Sequence, residues 1–125
     1  MVRKVLIVDD SPVARMIAKK CIGMLGECTM FEAGDGQAGF EKFKEVSPDI
    51  TFMDLTMPVM DGIEALVEIK KVAPAAVVVV ATADIQQQTI SRAMEAGAYT
   101  VLKKPLSPQA VYEVFQKLGL NAVKG

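Results

Sequence analysis

The chain predicts an α/β fold: a doubly wound, five-stranded parallel sheet in the order 2-1-3-4-5, with five helices. Three observations lead there. Short apolar runs alternate with stretches of helical periodicity along the whole chain, and such alternation implies a parallel sheet covered on both faces. Two of the runs, Lys4-Val5-Leu6-Ile7-Val8 and Val77-Val78-Val79-Val80, are continuously apolar beyond Lys4, the pattern of strands buried on both sides. Each run closes on polar or turn-forming residues that hand over to a helix, and right-handed crossovers then restrict the topology to the doubly wound order.

The first strand ends at Asp9-Asp10. Ser11-Pro12 follows, a cap residue with proline at the first helical position. Ala14, Ile17, Ala18, Cys21 and Leu25 recur at helical spacing, and Gly23 and Gly26 mark the stop. Thr29-Met30-Phe31 is a shorter strand. Gly34-Asp35-Gly36 turns the chain into a second helix with Phe40 and Phe43 on its buried face. Gly39 inside that helix costs up to about 1 kcal/mol against alanine, a cost that close packing of another element would justify. Ser47-Pro48-Asp49 breaks the chain before the strand Ile50-Thr51-Phe52-Met53, which closes on Asp54. Asp61 caps a third helix with Ile63, Leu66 and Val67 inward, ended by Pro74. Met57, Val59 and Met60 between them read as local packing. The Val77 strand runs into Ala81-Thr82-Ala83-Asp84. A fourth helix is expected from Ile85 to Ala96, with Ile90, Ala93 and Met94 inward and Gly97 as its stop. Val101-Leu102 is the last strand, followed by Lys103-Lys104-Pro105. Ser107-Pro108 repeats the cap-plus-proline device before a helix that shows Val111, Val114, Phe115 and Leu118. The domain is expected over residues 1–120, with 121–125 as a C-terminal tail.

The whole-chain properties exclude several classes. At 125 residues the chain makes one domain with a real core. A formal net charge of −1 gives no reason to expect nucleic-acid or acidic-membrane binding. The apolar run from Val72 to Ala81 is half of the ~20 residues that span a bilayer, and Pro74 interrupts it. The start, Met1-Val2-Arg3-Lys4, is basic, but Asp9-Asp10 ends the apolar stretch short of a signal-peptide core. Cys21 and Cys28 form neither a disulfide framework nor a metal quartet, and read as reduced packing thiols of a cytoplasmic protein. The absence of histidine removes histidine acid–base catalysis, histidine metal sites and phosphohistidine chemistry on this chain.

The predicted topology gathers polar side chains at one sheet edge: Asp9 and Asp10 after the first strand, Asp54 after the third, Thr82 after the fourth and Lys104 after the fifth. Taken singly, each has a plainer reading as a helix cap, a turn former or a solvated lysine. Together they converge on the switch-point crevice, the usual ligand site of such a sheet. Carboxylates this close repel by up to about 4 kcal/mol per pair at ~4 Å, so something cationic belongs among them. Lys104 supplies one charge. An all-oxygen donor set suits a hard divalent cation such as Mg²⁺, with water or phosphate completing its shell.

Asp9-Asp10, Asp54-x-x-Met57-Pro58-x-Met60-Asp61-Gly62, Ala81-Thr82-Ala83 and Lys104-Pro105 resemble the signature of bacterial two-component response-regulator receiver domains, the single-domain chemotaxis type in particular. The resemblance runs from Lys4 to Leu118 and implies a flavodoxin-like fold. It further implies that Asp54 takes a phosphoryl group from a phosphohistidine on a histidine kinase or phosphotransfer protein. By the same resemblance Asp10, Asp54 and the backbone carbonyl of Thr56 ligate Mg²⁺, Asp9 holds a metal-bound water, and Thr82 and Lys104 contact phosphoryl oxygens. It implies a cis Lys104-Pro105 peptide. It also implies signalling through an output protein contacted by the fourth helix, fifth strand and fifth helix, as a monomer or a phosphorylation-dependent dimer. On this reading the chain is no enzyme beyond its own phosphorylation and dephosphorylation.

The sequence departs from the family at Val101, where many members carry an aromatic switch. Either Tyr99 substitutes, or the relay runs through Thr82 and its loop alone; the second is favoured. Thr56 and Asp84, two residues past Asp54 and Thr82, would line the phosphoryl group's access route. Gln86-Gln87-Gln88 reads as a solvated face, and Tyr112 points away from the buried side of the last helix. Two alternatives stay open: a receiver-like binding module that acts without phosphorylation, and a receiver fragment of a larger regulator. A hydrolase on a similar sheet would want its nucleophile at the end of strand one and a cap domain, and a flavin protein would want a phosphate loop where Asp9 and Asp10 stand.

Overall fold

The computed structural model describes residues 4–57 and 59–119. Met1 to Arg3, Pro58 of the loop motif and the expected tail at 121–125 lie outside the described residues. Strands β1 (Lys4–Val8), β2 (Thr29–Ala33), β3 (Ile50–Asp54), β4 (Val78–Thr82) and β5 (Thr100–Lys103) alternate with helices α1 (Pro12–Gly23), α2 (Gly36–Val46), α3 (Gly62–Val72), α4 (Gln87–Glu95) and α5 (Pro108–Leu118). The sheet order is β2-β1-β3-β4-β5, and every pairing is parallel.

Strand alternation divides the core into two layers. Val5, Ile7, Ile50, Phe52 and Val79 face α1 and α5, where they meet Ala18, Ile22, Val111 and Phe115. Leu6, Val8, Met53, Val78 and Val80 face the other side, packed with Phe43, Leu66, Ile69 and Ala93 from α2, α3 and α4. Full burial of a side chain of this size contributes roughly 1.5–3 kcal/mol, which is why β1, β3 and β4 tolerate almost no polar residue. Gly39 answers to the same packing: a Cβ there would stand 2.7 Å from Val8 Cγ1, so α2 lies on β1 more closely than alanine allows.

The caps follow the sequence. Ser11, Asp35, Asp61 and Ser107 each accept a backbone N–H inside the helix that they open, and Asp61 and Glu64 close a reciprocal capping box. The structure corrects four expectations. β2 runs two residues beyond Phe31, because β1 pairs with it from Lys4↔Thr29 to Val8↔Ala33. α4 begins at Gln87 rather than Ile85, because the Asp84 carboxylate takes the Gln86 N–H and the Thr89 hydroxyl and holds the preceding turn open. Met94 is exposed while Ala93 turns inward. Val59 does not pack: it is 82% exposed, with φ of 68°.

Candidate functional site

Because the sheet is parallel, β1, β3, β4 and β5 all deliver their carboxyl ends to one edge. The loop after β3 is drawn tightly back over that edge. Gly62 donates its N–H to Leu55 at 2.9 Å, and a Cβ on Gly62 would stand 2.0 Å from the Asp54 carbonyl oxygen. Only glycine allows this approach, which gives the Asp61-Gly62 pair a direct part in fixing Asp54.

Asp54 is 7% exposed and Asp9 5%, whereas Asp10 is open to solvent. One carboxylate oxygen from each lies within 4.8 Å of the others. Lys104 reaches in from the end of β5, with Nζ 2.6 Å from Asp9 Oδ2 and 3.0 Å from Asp54 Oδ1. The Lys104-Pro105 peptide is cis. Asp9 Oδ1 accepts the Ser11 N–H at 2.9 Å. Among the described residues nothing donates to the Asp10 carboxylate or to Asp54 Oδ2.

Burial pushes the Asp54 carboxyl above the usual carboxylate range; the Lys104 hydrogen bond opposes this, and the charges of Asp9 and Asp10 add to it. For Lys104, burial pulls the ammonium pKa down, but the bonds and charges of Asp9 and Asp54 outweigh that and raise it. The lysine therefore stays charged. One ammonium among three carboxylates leaves negative charge uncompensated, and like charges ~5 Å apart repel by about 3 kcal/mol per pair at an effective dielectric of ~20, as an upper guide. The donor set, carboxylate oxygens without sulfur or nitrogen, fits a hard divalent cation of the Mg²⁺ kind. Lys104 stands within bonding reach of the same oxygens.

The structure brings Asp9, Asp10, Asp54 and Lys104 together, while Thr56 and Thr82 border a different cavity. Asp9, Asp54 and Lys104 border a cavity of about 300 Å³ on the α1 side, walled by apolar groups such as Ile17, Phe52 and Leu106. Thr56, exposed in the loop, and Thr82, buried at the end of β4, border a second cavity of about 370 Å³ with Asp61, Asp84 and Arg92. The Thr82 hydroxyl accepts the Asp84 N–H at 3.1 Å. Asp84 accepts from Thr89 and from the Gln86 backbone, and both hold its carboxyl below the usual range. Thr82 is thus joined through Asp84 to the first turn of α4.

Tyr99 is not at this edge. It precedes β5, and its N–H donates to Val78 at the start of β4. Thr82 lies opposite Lys103, four positions along at ~3.3 Å each. Val101 packs into the layer beneath α4.

The family model described as response regulator receiver domain matches residues 5–116. That span contains the whole acidic edge and its lysine. The chain belongs to the response-regulator receiver family. It is 42% identical over 118 residues to the chemotaxis protein CheY of Thermotoga maritima, covering 94% of this chain and 98% of that protein. To the chemotaxis protein CheY of Bacillus subtilis it is 40% identical over 117 residues, covering 94% and 98%. Among solved structures, CheY in the CheX-CheY-BeF3-Mg complex of Borrelia burgdorferi superimposes with a TM-score of 0.87 at 31% identity, covering 93% of this chain and 89% of that one. Phosphoryl acceptance on an aspartate in two-component signalling is the general function of this family, and its members bind Mg²⁺ at an acidic pocket. No described helix is long and apolar enough to cross a membrane.

Sequence reasoning missed Arg15 and Glu32. Arg15 Nη1 donates to the Asp9 carbonyl oxygen at 2.6 Å and Nε to Glu32 Oε1 at 2.9 Å. No motif carries this pair, because it exists only once α1 is laid beside β2.

Proposed function

We propose that Asp54 is the phosphoryl acceptor of this receiver. The observation that carries the reading is the Lys104 ammonium bonded to both Asp9 and Asp54 at the mouth of the parallel sheet. It leaves Asp54 Oδ2 without a described donor and so available to attack. That oxygen forms a bond to the phosphorus of a phosphohistidine on a histidine kinase or phosphotransfer protein. The P–N bond breaks, and the donor imidazole keeps the electron pair. The histidine belongs to the partner, since this chain contains none.

Mg²⁺ would be held by Asp10, Asp54 and the Thr56 backbone carbonyl, with Asp9 acting through a water. When bound it supplies positive charge beside the phosphoryl oxygens. Phosphoryl transfer depends mainly on positioning and charge neutralisation. Lys104 exchanges an aspartate partner for a phosphoryl oxygen, and Thr82 turns its O–H toward another. Thr82 is bonded to Asp84, and Asp84 to Thr89 on α4, so that turn carries the signal toward a cytoplasmic output protein. Tyr99, at the other end of β5, has no part in this relay. Residues 1–120 act as one receiver, which catalyses only its own phosphorylation and dephosphorylation.

Intact-mass spectrometry after incubation with a small phosphodonor and Mg²⁺ tests the proposal. A base-labile phosphoryl adduct is expected on the parent and absent from Asp54→Asn. No adduct under conditions that modify a control receiver would instead support a module that works without phosphorylation.

A further inference from the structure

Arg15 sits near the start of α1, one turn past its cap, with its side chain 20% exposed. Its guanidinium spans the Asp9 carbonyl oxygen at 2.6 Å and Glu32 Oε1 at 2.9 Å. Lys19, one turn further on, donates to the other Glu32 oxygen at 2.8 Å. Glu32 lies beside Ile7 in the β1–β2 ladder, so this clamp pins α1 to β2 next to the acidic edge.

The consequence falls on the Asp9–Asp10 turn. Asp9 is held at every polar atom: its N–H by the Ala33 carbonyl, its own carbonyl by Arg15, Oδ1 by Ser11 and Oδ2 by Lys104. Asp10 is exposed, and no described group bonds its carboxylate. No described contact steers that carboxylate, so the region it can reach is set by the position of its backbone, and Arg15 grips the peptide that joins it to Asp9.

We propose that Arg15 is a positioning residue for the divalent cation: it fixes the Asp9–Asp10 turn and with it the backbone position from which the Asp10 carboxylate reaches the ion, while Glu32 aims the guanidinium. The inference rests on the acidic edge being the Mg²⁺ site. A planar fork suits the task, because two different nitrogens point at two fixed acceptors; a lysine ammonium is a point donor on a flexible stem. Charge alone predicts the opposite effect. A cation beside a cation site weakens binding, so its removal would tighten Mg²⁺. Glu32, which also pairs with Lys19, offsets part of that charge, and on this proposal the geometric contribution dominates.

The test is calorimetric titration of Mg²⁺ into the full chain, with thermal melting in EDTA as a parallel readout. Arg15→Met is expected to weaken Mg²⁺ affinity by roughly tenfold, the scale seen when groups that orient metal ligands are lost. Arg15→Lys should recover part of that loss. Lys19→Met cuts the same α1–β2 clamp without touching Asp9, so it should lower the melting temperature and leave Mg²⁺ affinity at the parent value. Unchanged or tighter binding by Arg15→Met overturns the proposal, and so does equal weakening by Lys19→Met, which would mean that the clamp is only structural. Should Arg15→Met fail to fold, Glu32→Gln takes its place, and parent-like affinity there overturns the proposal. A parent that binds no Mg²⁺ overturns the reading of the site itself; a parent that binds while Arg15→Met is unaffected overturns this inference alone.

Discussion

In the absence of metal, Asp54→Asn should make the protein more stable. Asp54 is buried, its carboxyl is held above the usual range by burial, and its repulsion from Asp9 and Asp10 adds to that. Each like-charge neighbour within 4.8 Å contributes up to about 3 kcal/mol of repulsion at an effective dielectric of ~20, and Lys104 offsets a large part. A net gain of about 1–2 kcal/mol is reasonable for the neutral amide, since Asn can still accept from Lys104. Unfolding entropy of ~2.1 cal/mol/K per residue makes 1 kcal/mol worth roughly 4 °C for a chain of this size. Circular-dichroism melts in EDTA at neutral pH should therefore rise by about 4–8 °C. The gap depends on pH with a definite sign. The folded pKa lies above the unfolded one, so the aspartate's penalty is absent below the unfolded value and grows as pH rises through the folded value. Parent and mutant should converge in acid and separate toward neutrality. Mg²⁺ at ten times its dissociation constant adds about 1.4 kcal/mol to the parent and should add much less to the mutant, closing the gap from the other side. A mutant that melts at or below the parent in EDTA at neutral pH would refute the reasoning, because Lys104 would then compensate the cluster completely.

Other expectations follow from single contacts. Thr51 Oγ1 is buried with no hydrogen-bond partner among the described residues, so Thr51→Val should gain about 1 kcal/mol in a denaturant titration, the scale of an unsatisfied buried hydroxyl. Gly62→Ala would drive a Cβ to 2.0 Å from the Asp54 carbonyl oxygen; a loss of roughly 3 kcal/mol or more is expected, with slower acceptance of phosphate in the mass assay for any protein that folds. The Glu32 carboxyl is held below its usual range, by Lys19 first and then Arg15. Its contribution is present above the unfolded pKa and is lost as pH falls through the folded one. Because the carboxylate is 36% exposed, Glu32→Gln should cost under about 1 kcal/mol at neutral pH and nothing in acid. Val59, β-branched at φ 68° and exposed, should become more stable by up to about 1 kcal/mol as glycine, by the same melts.

The strands and the acidic edge were legible because a parallel sheet writes both into local sequence. A strand buried on both faces must be apolar throughout, and the first polar residue after it lies at the carboxyl end. Asp9, Asp54 and Thr82 follow from that rule; after β5 it points to Lys103, and it is Lys104, the next residue, that reaches Asp9 and Asp54. β2 was read short because it is an edge strand that carries Glu32, so its apolar signal breaks where its hydrogen bonds do not. The start of α4 was misread because Ile85 continues an apolar period, while the Asp84 carboxylate competes for the backbone before the helix begins. Periodicity cannot register that competition, since it depends on where one side chain points.

The same distinction explains why Arg15 escaped the sequence and why it matters to function. A carboxylate at a strand end announces itself, but what aims it comes from elements distant in sequence. Arg15 and Glu32 are 17 residues apart, and Lys104 and Asp54 are 50. The motif residues supply the chemistry. Their geometry is set by contacts across α1, β2 and β5 that no single stretch encodes. The site also works against local stability: three carboxylates share one ammonium, Gly62 gives up a side chain, and Val59 sits at positive φ in the loop between them. A fold that tolerates these costs needs a rigid surround, and the two apolar layers beneath the edge provide it. Stability and function are therefore separable here. Substitutions at the edge should trade metal or phosphate binding for stability, whereas substitutions in the layers should change stability and leave the edge chemistry intact until the fold is lost.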